Sequence, residues 1–168
     1  NFSHMRMLFM MSGFVGALQP RESDRIYDPL PLYHSTGGVC AVGMAFFTGG
    51  ALILKRKFSV HDFWSDVHNY RATMFEYIGE LCRYLLASPE PPRPHRLRLA
   101  VGNGLSADVW EAFQRRFAIP QILEFYAATE GNFSLYNAEG KIGSIGRIPP
   151  FLAHRFPTAI VKFDNAAG

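Results

Sequence analysis

The feature that most constrains this chain is an alternation of two kinds of apolar pattern. Short, nearly continuous runs read as strands: "RIYDPLPL" (25–32, up to its prolines), "ALILK" (51–55), "ATMFEYI" (72–78), "LRLAV" (97–101) and "QILEFY" (121–126). Between them lie stretches whose apolar residues recur every three or four positions, the period of one helix face. Met7, Leu8, Met11, Phe14, Val15 and Leu18 form the first such face, with Ser3 as N-cap and Pro20 beyond its end. Residues 37–47 read as a second helix. Ser59 and Asp62 form a capping-box pattern opening a third, striped by Val60, Phe63, Trp64 and Val67. Residues 80–87 and a helix capped by Ser106 and running to Phe117 complete the set. Five strands alternating with helices over short connections predict an α/β fold: a mostly parallel sheet with helices on both faces, built by βαβ crossovers. The run "ALILK" is expected to be a strand covered on both faces. This unit is expected to span 1–140, and 141–168 to form a glycine turn and the start of a following sheet or barrel, with "TAIVKFD" (158–164) as its strand.

Composition narrows the function classes. A chain of 168 residues with 48% hydrophobic and 18% charged residues suits one domain, or a large piece of one, and excludes disorder. The most apolar stretch, 39–54, is shorter than the roughly 20 residues of a membrane span. It is also broken by Gly43 and the pair Gly49-Gly50. Fifteen phenylalanines fit either a thick core or an apolar ligand pocket. The net charge of +3 is spread among interspersed acids, so no nucleic-acid partner is expected. Basic residues do cluster at Lys55-Arg56-Lys57 and in "RPHRLR" (93–98). The first reading is solvated strand and loop ends, and the alternative is a membrane-surface or anionic-ligand patch. Cys40 and Cys82 lack CxxC spacing and read as buried free thiols in a reducing, cytoplasmic compartment, with peripheral membrane contact as an alternative. The histidines show no zinc pattern. The chain does not open with Met and is expected to be a piece of something longer.

In open parallel sheets, ligands bind beyond the carboxyl ends of the strands. Three such ends carry unusual residues: "PLYHSTGG" after 25–32, "GNGL" after 97–101, and "AATEGN" after 121–126. Glycines after a strand are ordinarily turn chemistry, and a Thr-Glu pair ordinarily caps a helix. Three such ends at one edge point instead to a composite nucleotide site.

These segments resemble the adenylate-forming enzymes, which include acyl-CoA synthetases, luciferases and peptide-synthetase adenylation domains. "FYAATEGN" is similar to the family's aromatic-Gly-x-Thr-Glu motif, "GNGL" to its adenine-contacting loop, and "PLYHSTGG" to the segment bearing an aromatic residue or His at the acyl pocket. "GSIGR" (143–147) is similar to the glycine turn that follows. "RKFS", "FW" and above all "YIGELCRYLL" (77–86) resemble the very-long-chain acyl-CoA synthetase and fatty-acid transport protein branch. The resemblance covers residues 3–164. Two departures stand out: Ala127 occupies the usual glycine position, and the family's phosphate loop, ribose-binding Asp and Lys-bearing C-terminal domain have no counterpart here. The resemblance therefore implies the middle of a large N-terminal domain, carrying half a site, whose remainder lies in the same polypeptide.

What the resemblance implies chemically is a ligase using ATP, Mg²⁺ and CoA to activate a long or very long fatty acid. A ligase for sterol or bile-acid side chains, and a non-catalytic fatty-acid binding or transport module, are the alternatives. Tyr126 would offer a flat face to adenine, with Ala127 beside it and Gly102, Asn103 and Gly104 approaching the purine edge. Thr129 would meet the phosphates and Glu130 the Mg²⁺. His34 would face the reacting carboxylate, and Tyr77 and Gly79 would wall the acyl slot, with Gly79 leaving room for the chain.

Overall fold

The structure is a computed structural model and describes residues 2–131, 133–148, 150–159 and 161–162. Its frame is a six-stranded sheet in the order β2-β1-β3-β4-β5-β6. The strands are β1 (Arg25–Asp28), β2 (Ala51–Leu54), β3 (Met74–Ile78), β4 (Leu99–Asn103), β5 (Gln121–Ala127) and β6 (Ser134–Tyr136). The first five run parallel and β6 is antiparallel to β5. Helices α1 (His4–Leu18) and α2 (Val42–Thr48) pack on one face, and α3 (Val60–Asn69), α4 (Gly79–Ala87) and α5 (Ala107–Phe117) on the other. Fold class and layer order therefore follow the sequence pattern.

The local signals act where they were read. The Ser3 hydroxyl accepts from the Arg6 amide and starts α1, and the Ser59 hydroxyl accepts from the Asp62 amide and starts α3. Phe63, Trp64 and Val67 of α3 are all buried, and the Phe63 ring meets Tyr27, Trp64 and Phe75 edge-on at 5.4, 4.8 and 4.8 Å. Such edge contacts add to the roughly 1.5–3 kcal/mol that burial of one large apolar side chain contributes. Cys40 and Cys82 are buried free thiols, and burial pushes both well above the ordinary thiol value.

Other details differ from expectation. Strand β2 lies at the sheet edge, with Ile53 buried and Leu54 exposed; its apolar run is not covered on both faces. Ser106 sits at the N-cap of α5, but its hydroxyl makes no capping bond and accepts instead from the Arg83 guanidinium. The expected helix over 37–47 begins as a π-helical segment, Thr36–Ala41, before tightening into α2. Of the strand expected at 158–164, residues 160, 163 and 164 lie outside the described residues, and the described ones are not in a strand.

Buried charge is placed unevenly. Asp24, beside the start of β1, accepts from the Arg98 guanidinium, the Thr73 hydroxyl and the Arg21 amide. Burial alone would raise its carboxyl, but these donors outweigh it and hold the group at about 2. At the other end of β1, Asp28 is fully buried, with one oxygen accepting from the Leu30 amide and the other without a partner. On β3, Glu76 is also fully buried, and both its oxygens lack partners. Burial raises Asp28 to about 6 and drives Glu76 well above the ordinary carboxyl range, with the Asp28 charge adding to the latter.

Candidate functional site

The carboxyl ends of β1, β4 and β5 lie along one edge of the sheet because these strands are parallel. That edge carries His34, the segment Gly102, Asn103 and Gly104, and the run from Tyr126 to Glu130. His34 is exposed in a loop whose backbone is pinned at both sides: its amide donates to Pro31 O and its carbonyl accepts from the Gly38 amide. Its ring lies 4.8 Å from that of Tyr33. Tyr126, the penultimate residue of β5, is 48% exposed. Ala127 and Ala128 follow, and a turn closed by the Gly131 amide on Ala128 O leaves Thr129 and Glu130 exposed. The Arg6 guanidinium of α1 donates to Gly131 O, tying the first helix to this turn. Asn132, the last residue of the motif, lies outside the described residues.

The glycine loop is built by a residue that sequence reasoning passed over. Glu124 is buried in β5; one oxygen accepts from the Tyr77 hydroxyl at 2.8 Å and the Leu105 amide at 3.0 Å, and the other from the Gly104 amide at 3.1 Å. Burial raises this carboxyl despite the three donors, which act to lower it. A lone carboxylate inside an otherwise apolar strand was the available signal. Gly104 adopts a left-handed φ of +78°, which presents its amide to Glu124 and its carbonyl to Gly79.

Tyr77 and Gly79 do not open onto a slot. Tyr77 is fully buried with its hydroxyl on Glu124, and a Cβ at Gly79 would sit 1.9 Å from Gly104 O. The room beside Gly79 is filled by backbone. Gly102 likewise meets Tyr77 O, which a Cβ would approach to 2.0 Å, so this glycine is required by packing against β3. The apolar space lies elsewhere: a groove of about 600 Å³ between α1 and the Ala128-to-Tyr136 segment, lined by Phe9, Met10, Phe133 and Phe156, with Arg6 and Arg147 among its polar residues. It adjoins the Thr129-Glu130 turn through Ala128 and Gly131. Among the described residues there is no cluster of three or more His, Cys, Asp or Glu side chains able to hold a metal, and no helix long and apolar enough to cross a membrane.

The sequence pattern of the family described as "AMP-binding enzyme" matches residues 2–155. The chain belongs to the AMP-binding enzyme family. Within it, the chain is 49% identical over 147 residues to long-chain fatty acid transport protein 1 of Mus musculus, covering 86% of this chain and 23% of that protein. It is 42% identical over 168 residues to long-chain fatty acid transport protein 3 of Homo sapiens, covering 99% and 24%. It thus spans about a quarter of the length of the curated relatives it matches. Among solved structures, ATP-bound MatB from Rhodopseudomonas palustris aligns with a TM-score of 0.78 at 24% identity, covering 89% of this chain and 30% of that one. The benzoate CoA ligase from Burkholderia xenovorans aligns at 0.74 and 20% identity, covering 86% and 31%. Both solved structures share the fold of this chain.

Proposed function

We propose that the chain is the central part of an ATP-dependent ligase that joins long-chain or very-long-chain fatty acids to CoA. The observation that carries this reading is the exposed aromatic–Ala-Ala–Thr-Glu turn set beside an apolar groove in an AMP-binding family chain. The names of the relatives supply the acyl class. Residues 1–140 would form the nucleotide- and acyl-binding subdomain and 141–168 the start of the next, with the rest of the site on other parts of the polypeptide.

In this reading the acid's carboxylate oxygen attacks the α-phosphorus of ATP, pyrophosphate leaves, and CoA thiol then displaces AMP from the acyl-adenylate. The Tyr126 ring stacks on adenine, with Ala127 in place of glycine set at its edge, and the loop from Gly102 to Gly104, held by Glu124, borders the purine. The Thr129 hydroxyl donates to a phosphate oxygen on which charge grows during attack. His34 donates to the incoming carboxylate and orients it. The alkyl chain occupies the groove along α1, where Arg6 supplies a guanidinium and Arg147 is already paired with Glu139. Glu130 is an exposed carboxylate with no ion pair among the described residues, which suits an Mg²⁺ held chiefly by phosphate oxygens and water. Bound there, Mg²⁺ would supply positive charge to the phosphates.

Acid-dependent ATP–pyrophosphate exchange by the full-length protein tests the reading. Long aliphatic acids should exceed acetate in kcat/KM, since each buried CH₂ contributes about 0.8 kcal/mol. Glu130→Gln should keep the fold while lowering kcat by on the order of 10². Wild-type turnover in that variant at saturating Mg²⁺ and ATP would make Glu130 a structural residue. Equal kcat/KM for acetate and long acids would reject the acyl class.

A further inference from the structure

We propose that the amino edge of the sheet, opposite the candidate ligase site, carries a binding site for a phosphomonoester dianion. A cleft of about 490 Å³ opens there, and its lining includes Arg25, Arg71, Arg96, Ser23 and Asn69. None of its lining residues is acidic. Arg25 opens β1, Arg71 follows α3, and Arg96 precedes β4, so the cleft draws on residues brought together only by the sheet. A second cleft of about 370 Å³ shares Arg71 and Arg96 with the first. A third, along β2, shares Arg25 and leads to Lys55, Arg56 and Lys57 beyond the carboxyl end of that strand, where Asp62 also lines it and Lys55 is paired with Asp66. Of the two basic clusters seen in the sequence, only the one around Arg96 contributes to this cleft.

The nearby acid does not neutralise it. Asp24 is saturated by Arg98, Thr73 and Arg21, so its charge is already matched. Among the described residues, neither Arg71 nor Arg96 forms an ion pair. Arg25 spends its Nε on Tyr70 O and keeps its two terminal nitrogens.

The arginines are also held on a stiff frame. Arg96 lies next to His95, whose Nε2 bonds to Phe117 O and whose Nδ1 accepts from the Leu97 amide, with the ring stacked on buried Trp64 at 5.3 Å. Arg71 adopts a left-handed φ of +52°, fixed by its amide on His68 O and by the Ala72 amide on Val67 O. Glycine would satisfy that backbone with less strain, so an arginine there is held against the local preference. A phosphomonoester is close to doubly charged at neutral pH and offers three acceptor oxygens. Forked guanidinium donors on a fixed frame match it better than mobile ammonium groups do. The dianion could be borne by a lipid headgroup or by a soluble phosphorylated molecule.

The test uses the full-length protein and is independent of the ligase reading. Binding is measured by flotation with vesicles of phosphatidylcholine alone, with phosphatidic acid, and with phosphatidylglycerol at equal surface charge, and by calorimetry with glycerol 3-phosphate. We expect retention on phosphatidic acid above that on phosphatidylglycerol, or saturable glycerol 3-phosphate binding; the first identifies a lipid source and the second a soluble one. Arg71→Gly, which relieves the left-handed backbone, and Arg96→Gln should each weaken that binding by roughly tenfold, about 1.4 kcal/mol. Both variants should retain their acid-dependent pyrophosphate exchange. Equal retention on the two anionic vesicles with no glycerol 3-phosphate binding would reduce the cleft to unspecific charge and overturn the proposal. So would the absence of all binding, or wild-type binding by the double variant.

Discussion

Replacing Glu124 with Leu should loosen the glycine loop and the sheet together. The carboxylate receives three donors, from Tyr77, Leu105 and Gly104. Gly104 is exposed, so its amide can turn to water when the acceptor is lost. The Tyr77 hydroxyl and the Leu105 amide cannot, because both residues are buried. Each orphaned buried donor costs about 1–3 kcal/mol, and relief from burying a carboxylate returns part of that. The net loss should be about 3 kcal/mol, a large share of the 5–15 kcal/mol typical of a folded domain. Urea unfolding followed by tryptophan fluorescence reads this directly, since Trp64 and Trp110 are both buried in the helical layer against the same face of the sheet. A double-mutant cycle sharpens the test. Tyr77→Phe should cost about 1 kcal/mol in the wild-type background and be neutral or stabilising in the Glu124→Leu background, because it then removes a stranded donor. In the full-length protein, ATP affinity should fall along with loop order. A urea midpoint for Glu124→Leu equal to that of the wild type, with additive single effects, would show that the carboxylate is hydrated and holds nothing.

Two further outcomes follow from the same buried geometry. Asp28 is raised from 3.8 to about 6 in the folded chain, so its contribution is fully present below its unfolded value and is lost as pH rises through about 6. Asp28→Asn, which can keep the bond from the Leu30 amide, should therefore flatten the loss of stability between pH 4 and pH 7. It should add on the order of 3 kcal/mol at pH 8, and an unchanged pH–stability profile would refute the raised carboxyl. Gly79→Ala should destabilise by about 1–3 kcal/mol or more, because the obstructing atom is a backbone carbonyl. Its effect on turnover should be the same for short and long acids, and a selective penalty on long ones would place the acyl chain at Gly79 after all.

Much of the architecture was legible along the chain. The stripe of Phe63, Trp64 and Val67 and the caps at Ser3 and Ser59 are local devices, formed within one or two helical turns. The parallel sheet followed from alternation, since strands separated by helices can hardly pair otherwise. Tyr126, Thr129 and Glu130 were legible as candidates because a strand that ends in an aromatic, a hydroxyl and a carboxylate breaks its own pattern. What failed to read was anything depending on a neighbour distant in sequence. The run at 51–55 reads as doubly covered, yet β2 pairs only with β1 and stands at the edge. The short antiparallel β6 exists because β5 offers it an edge, and its three residues carry too little periodicity to announce it.

The glycines show the division most clearly. The sequence by itself placed glycines at the strand ends near 79 and 102–104, and it determined the first five strands, the helices and the edge on which the candidate residues gather. Only the tertiary structure decided that Gly104 fills the space beside Gly79, that Tyr77 is bound to Glu124, and that the open apolar groove lies along α1. Periodicity reports which face of an element is buried, because burial follows the repeat of the backbone. It carries no record of which other backbone does the burying, since that is set by strand order and by steric contact between segments far apart in the chain.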